Sequence, residues 1–301
     1  MATTTRSINR IKTAPEPDRE WNDPTANPDK ANAEIAKVLA EANASAMPTV
    51  SFPSNDIVVL PGGLIREGKV IKDIEVRELT GEDEESLARA SQSLNPFTFL
   101  DRLLRCGVTR IGNEPPSEND KLLGQMLIGD REAIILGIRE ATYGTDLKVE
   151  DWMCSNCGVK SELEMELSDI PVTKMPDPMN DATFKVPMRK GGFALVRLVT
   201  GADQIAIFEK PELTQAQRET VLLSRCVVSV TDKAGIEHSM AAFPSLSLSM
   251  SVPDRHAILK QLRDRQPGPK YDQVKYKCES CNEDVNVTVT IGHLFLDFGW
   301  I

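Results

Sequence analysis

An α+β fold made of two tandem copies is what this sequence predicts, and three observations carry the expectation. Residues repeat at a fixed offset along the chain, strand-like and helix-like segments alternate in the same order in each copy, and each copy ends in a Cys-x-x-Cys hairpin. The 301 residues, 41 % of them hydrophobic, are enough for two packed cores.

Residues 1–55 stand apart as an extended N-terminal arm with one short helix. Pro15, Pro17, Pro24, Pro28, Pro48 and Pro53 interrupt a polar stretch without apolar periodicity. Within it, Asp29 is placed to cap a helix over Ala31 to Ala44 that carries Ile35, Val38 and Leu39 on one side and is closed by Pro48. Such a stripe needs a partner surface. Two readings stay open, a flexible tail and an arm that orders against a neighbouring subunit.

The copies span residues 56–178 and 179–301. Val76-Arg77, Thr80-Gly81 and Asp83 reappear 120 positions on as Val196-Arg197, Thr200-Gly201 and Asp203, and Leu103 and Cys106 reappear as Leu223 and Cys226. Four residues are then gained. Asp130-Arg131, Ala133-Ile134, Arg139 and Gly144 match Asp254-Arg255, Ala257-Ile258, Arg263 and Gly268 at an offset of 124, as Cys154 and Cys157 match Cys278 and Cys281.

Each copy opens with strands about a glycine turn: Ile57 to Leu60, Pro61-Gly62-Gly63 and Val70 to Leu79, then Phe184 to Met188, Gly191-Gly192 and Phe193 to Val199. Thr80 and Thr200, each three residues before an aspartate, read as N-caps. A second helix runs from Asn95-Pro96 to Arg105, and its counterpart from Thr214 to Arg225, with Gln217 completing a capping box. A third starts at Asp130 and at Asp254, with Ile134, Ile135 and Ile138 answering Ile258, Leu259 and Leu262 on one helical face.

The third helix leads to a strand, a knuckle and a strand, around Cys154-Ser-Asn-Cys157 in the first copy and Cys278-Glu-Ser-Cys281 in the second. Two residues between cysteines let both thiolates of a tight turn face one ion, and two such turns supply four sulfurs at about 2.3 Å. Zinc fits this donor set best, as a structural Zn²⁺ in a zinc-ribbon-like site, with Cys154, Cys157, Cys278 and Cys281 as ligands. The 120 residues between Cys157 and Cys278 far exceed a compact ribbon, so the spacing alone leaves open whether the pairs share an ion. A duplicated chain packed about a pseudo-twofold axis would bring them together. A rubredoxin-like iron site and two unmetallated dithiols remain as alternatives.

Cys106 and Cys226 read as buried thiols in equivalent cores. His238, His256 and His293 have no counterparts in the other copy and read as ordinary structural or surface residues. The acidic run Glu82-Asp83-Glu84-Glu85 reads as surface charge complementing a helix dipole, and Pro61-Gly62-Gly63 as a turn rather than an anion nest. No phosphate-cradling loop, dinucleotide fingerprint, nucleophile elbow or His-Glu-x-x-His is present, so no enzyme is expected.

Net charge of −10, no extended basic stripe and 5 % aromatics argue against nucleic-acid binding. The apolar runs are too short for a membrane span. MATTTRSINRIK has basic residues with no apolar stretch behind them, so the chain is expected to stay in the cytoplasm of its producer.

Leu60-Pro61-Gly62-Gly63, a short strand, Val76-Arg77-Glu78-Leu79-Thr80 and then Asp83-Glu84 at a helix start resembles the baseplate hub proteins of contractile-tailed phages of the T-even type. The Gly129-Asp130-Arg131 start of an Ile-rich helix, Arg139, Gly144 and Cys154-x-x-Cys157-Gly158 resembles the remainder of the same domain. The resemblance spans residues 57–170 and, more faintly, the second copy. Here Gly62 replaces the serine of a more elaborate Leu-Pro-Ser-x-Gly opening. The resemblance implies a virion structural or assembly protein, built in the host cytoplasm, that holds tube, spike or wedge subunits or further copies of itself. An assembly chaperone absent from finished particles and a zinc-ribbon nucleic-acid module are the competing readings.

Overall fold

The computed structural model describes residues 28–44, 56–93 and 95–295. The chain divides into two units, Met1–Pro53 and Ser54–Ile301. In the first, α1 (Pro28–Ala44) forms where alanine, glutamate and lysine favour a helix, with Asp29 inside its first turn rather than ahead of it. Ile35 is exposed. The rest of the expected arm, and the side chains of Val38 and Leu39, lie outside the described residues.

The second unit opens with a hairpin, β1 (Asp56–Arg66) and β2 (Lys69–Val76), leading to α2 (Gly81–Ser91), α3 (Pro96–Gly107) and β3 (Val108–Ile111). These strands form one sheet in the order β1-β2-β3. The short α4 (Asn119–Gln125) and the long α5 (Ile128–Tyr143) follow, and α5 lies on β1, where Gly137 leaves space for Val58. The next hairpin is β4 (Asp146–Met153) and β5 (Lys160–Glu166), and a link through β6 (Val172–Thr173) and α6 (Pro178–Asp181) enters the second half.

There β7 (Thr183–Pro187) and β8 (Phe193–Arg197) form a hairpin followed by α7 (Gly201–Phe208), α8 (Gln215–Cys226) and β9 (Val227–Thr231). β10 (Glu237–Ser239) joins the same sheet, in the order β10-β9-β8-β7. After α9 (Leu246–Ser249) and α10 (Val252–Arg265), β11 (Gly268–Pro269) pairs with β6. The last hairpin is β12 (Val274–Lys277) with β13 (Asp284–Val287), and α11 (Ile291–Leu294) closes the described chain.

The helix starts follow from their caps. Thr80 and Asp83 form a capping box on α2, Thr200 and Asp203 on α7, and Thr214 and Gln217 on α8, while Asn95 caps α3. Thr214 is exposed and its hydroxyl bonds to Gln217 within this box, so Thr214→Ala should lower stability by only about 1 kcal/mol in a urea denaturation series.

Asp83 departs from the expectation of surface charge. Its neighbours Glu82, Glu84 and Glu85 are exposed, but Asp83 is buried against Arg77, which grips it at 2.7 and 3.0 Å. Burial alone would raise this carboxyl, and the bonds from Arg77 and Thr80 outweigh it and hold the pKa below the ordinary value. Asp203 is fully buried, with Arg197 at 2.6 and 2.9 Å and Arg225 at 2.7 Å.

Pro61-Gly62-Gly63 also differs from the expectation. It is a bulge inside β1, where the register slips between Val59 and Leu64, and the Gly62 and Gly63 N–H groups donate to the Asp130 carboxylate at 2.6 and 3.0 Å. The bulge is an anion nest after all, filled by the protein's own side chain. Gly63 holds φ +92°, a conformation that favours glycine.

Two cores form. The first gathers Leu60, Ile74, Leu103, Ile111, Ile134 and Ile138, and also takes in Val274, Val287, Val289 and Leu294 from the chain's last hairpin and helix. The second is built around Phe184, Val196, Leu198, Leu223, Cys226 and Ile258. The halves meet at backbone level: the Ile128 N–H donates to the Val199 carbonyl at 3.1 Å and the Gly201 N–H to the Met126 carbonyl at 2.9 Å. Gly129 packs on Pro267 and Gly268 so closely that an added Cβ would fall 1.6 Å from the Pro267 carbonyl oxygen.

Candidate metal centre

The two cysteine turns share one backbone design. The Gly158 N–H donates to the Cys154 carbonyl at 2.9 Å, and the Asn282 N–H to the Cys278 carbonyl at 2.7 Å. Gly158 at φ +72° and Asn282 at φ +60° hold the left-handed conformation that turns the chain back. The outgoing strand is fixed in each case by the first cysteine's N–H, which donates to Val159 at 2.9 Å and to Glu283 at 3.0 Å. Each turn therefore gathers its two sulfurs on the same side.

Packing of the last hairpin into the first core brings the turns together. All four sulfurs, of Cys154, Cys157, Cys278 and Cys281, lie within 4.8 Å of one another. The Cys154 and Cys281 sulfurs are 3.9 Å apart, and those of Cys157 and Cys278 are 3.8 Å apart. Four ligands at about 2.3 Å from a tetrahedral ion stand about 3.8 Å from each other, so the set can hold one metal ion. The cysteines are free thiols. Cys154 and Cys278 are buried, while Cys157 is exposed.

Local hydrogen bonds favour thiolate. Backbone N–H groups of Cys157 and Asn156 push the Cys154 thiol down to about 6, and the Asn156 side-chain amide, 3.6 Å from the Cys281 sulfur, lowers that thiol as well. At Cys157 the Val159 N–H would lower the thiol, but partial loss of hydration and the crowding of the other three sulfurs outweigh it and hold it at about 11. A cation among them would relieve that crowding.

Beneath the sulfurs, the rings of Trp152 and Tyr276 meet edge to face at 5.3 Å. Sequence reasoning did not single out this pair, although its members stand 124 positions apart, the offset of the cysteines themselves. The other thiols lie elsewhere. Cys226 is buried beside Asp203, and burial first, then that carboxylate, pushes it up to about 12; burial also raises Cys106, beside Asp83. Both are inert, hydrophobe-like thiols. His293 is engaged in the cap of α11, where its Nδ1 accepts the Thr290 N–H at 3.1 Å, and it stands outside the four-sulfur set.

Among the described residues, no helix is long and apolar enough to cross a membrane. A family model described as T4 bacteriophage base plate protein matches residues 65–296, a span that starts near the end of β1 and includes both cysteine turns. No curated protein and no solved structure matches the chain in the same comparisons.

Proposed function

The chain belongs to the T4 bacteriophage base plate protein family, and on that premise we propose that it is a non-enzymatic structural subunit of a contractile tail baseplate. In this reading it sits at or beside the hub, holds neighbouring tube, spike or wedge subunits, and is itself held by a structural Zn²⁺ that joins two repeats, residues 56–178 and 179–301.

The four-sulfur cluster carries the proposal. Cys154, Cys157, Cys278 and Cys281 would fill all four positions of a tetrahedral zinc ion, which when bound supplies a cross-link and leaves no open place for water or substrate. The pairing of the sulfurs supports two equivalent halves. The first cysteine of each turn lies 3.9 and 3.8 Å from the second cysteine of the other, and two near-equal distances are what a pseudo-twofold axis through the site would give. Trp152 and Tyr276, also 124 positions apart, pack on each other beside the site. Further support comes from the Arg77–Asp83 and Arg197–Asp203 pairs, and from the strand irregularities at Glu75/Val76 and Leu195/Val196, each 120 positions apart. Arg131 and Arg255 likewise each donate to the carbonyl eight residues earlier, of Leu123 and of Ser247.

Mass spectrometry of purified virions tests the role. A structural subunit is recovered in mature particles in fixed ratio to the other tail proteins. Recovery from assembly intermediates alone would replace this reading with that of an assembly chaperone.

A further inference from the structure

Beside the cysteine cluster a groove of about 420 Å³ runs between the two closing hairpins, within the size range of about 300–1,000 Å³ usual for ligand clefts. Trp152, Val159 and Tyr276 give it an apolar floor, and the carboxylates of Glu162, Glu164 and Glu279 stand around it, with no lysine or arginine among its lining residues. Lys148 reaches Glu162 and Glu164 at 3.9 and 3.5 Å, but all three side chains are more than half exposed, so the contact is weak and exchangeable. Across β4, β5 and the turn between them, six carboxylates face two lysines, Lys148 and Lys160. An aromatic floor with an acidic rim suits a short segment that combines cationic and aliphatic side chains and carries no carboxylate.

The sequence holds one such segment in its arm. Residues 6–12 read Arg6-Ser7-Ile8-Asn9-Arg10-Ile11-Lys12, with three cations, two isoleucines and no carboxylate, in a chain whose net charge is −10. We propose that this groove is the docking site for residues 6–12 of a neighbouring copy, the isoleucines resting on the aromatic floor and the cations meeting the rim. A segment and a matching groove on every chain make a head-to-tail contact, which closes into a ring when the rotation between copies permits. The inference goes beyond the proposed baseplate role and gives the arm a defined partner surface.

The test uses the full chain, as an equal mixture of unlabelled and ¹⁵N-labelled protein treated with a carbodiimide that joins lysine amines to carboxylates. Mass spectrometry should find Lys12 joined to Glu162, Glu164 or Glu279 in peptides that combine one labelled and one unlabelled partner. The R6Q/R10Q variant keeps Lys12 as the reactive amine, and its cross-link yield should fall about tenfold, as expected when two ion pairs are lost. Raised salt should lower the yield further. Cross-links only between peptides of the same label, Lys12 joined to carboxylates elsewhere, or an unchanged yield in R6Q/R10Q would each overturn the proposal. Virion composition does not enter this experiment, so it can fail or succeed independently of the baseplate role.

Discussion

Asp203→Asn should lower the free energy of unfolding by about 2–3 kcal/mol, less than the roughly 3–5 kcal/mol lost when a fully buried ion pair is broken, because Arg197 and Arg225 are 33 % and 39 % exposed and keep part of their hydration. Asp203 is completely buried and takes both terminal nitrogens of Arg197, the Arg225 Nε, and the N–H and hydroxyl of Thr200. An asparagine keeps the shape but presents N–H groups to donors and leaves two guanidinium ions without a counter-charge. Asp83→Asn is the internal control. Asp83 faces one arginine and its side chain is 10 % exposed, so its loss should be visibly smaller. Urea denaturation followed by circular dichroism checks the order, and equal effects of the two substitutions would contradict the role assigned to full burial.

The same residue predicts a pH dependence. Burial would raise the Asp203 carboxyl, but the bonds from Arg197 and Thr200 and the charge of Arg197 hold it at about 2. Its folded pKa lies below the unfolded value of about 3.9. Its stabilisation is therefore fully present above about pH 4 and is lost as pH falls through about 2. The acid limb of wild type should be steeper than that of Asp203→Asn in this window.

Cys278→Ser should abolish stoichiometric metal binding after dialysis against a mild chelator. Cys278 is 1 % exposed, its sulfur lies 3.8 Å from that of Cys157, and a serine hydroxyl is a much poorer ligand for a soft donor site. Structural zinc contributes on the order of 10–16 kcal/mol of binding free energy in small metal-dependent domains. Here two hydrophobic cores exist apart from the cluster, so the loss should be local. Hydrogen exchange should show β4, β5, β12 and β13 losing protection, with α7 and α8 unchanged. Cys106→Ser should leave metal content intact, because that thiol lies outside the cluster. Full metal retention by Cys278→Ser would contradict the ligand assignment.

Much of this architecture was legible because its signals are local. Thr80, Asn95, Thr200 and Thr214 sit beside the groups they cap, so helix starts could be read from neighbours in sequence. The two-residue spacing of each cysteine pair is local in the same way. What joins the pairs is long-range: Val274 and Val287 carry the second turn into a core made mostly of residues before 171, and an apolar pattern does not say which sheet it will meet. Asp130 and the glycines of its nest are 67 and 68 positions apart, so no window spans them. Asp83 was misread for a related reason. A carboxylate in a first helical turn suits the dipole whether or not it is buried, and the partner that marks it as buried, Arg77, stands six positions earlier, just after β2, outside the helical turn that the cap defines.

Zinc K-edge X-ray absorption of the purified chain, with metal quantified on the same sample, bears most directly on the idea of one closed metal site joining the two ends of the body. It should report one zinc per chain with four sulfur neighbours at about 2.3 Å and no oxygen or nitrogen in the first coordination sphere. A site with two sulfurs and lighter ligands, iron in place of zinc, or a folded chain that takes up no metal would contradict it.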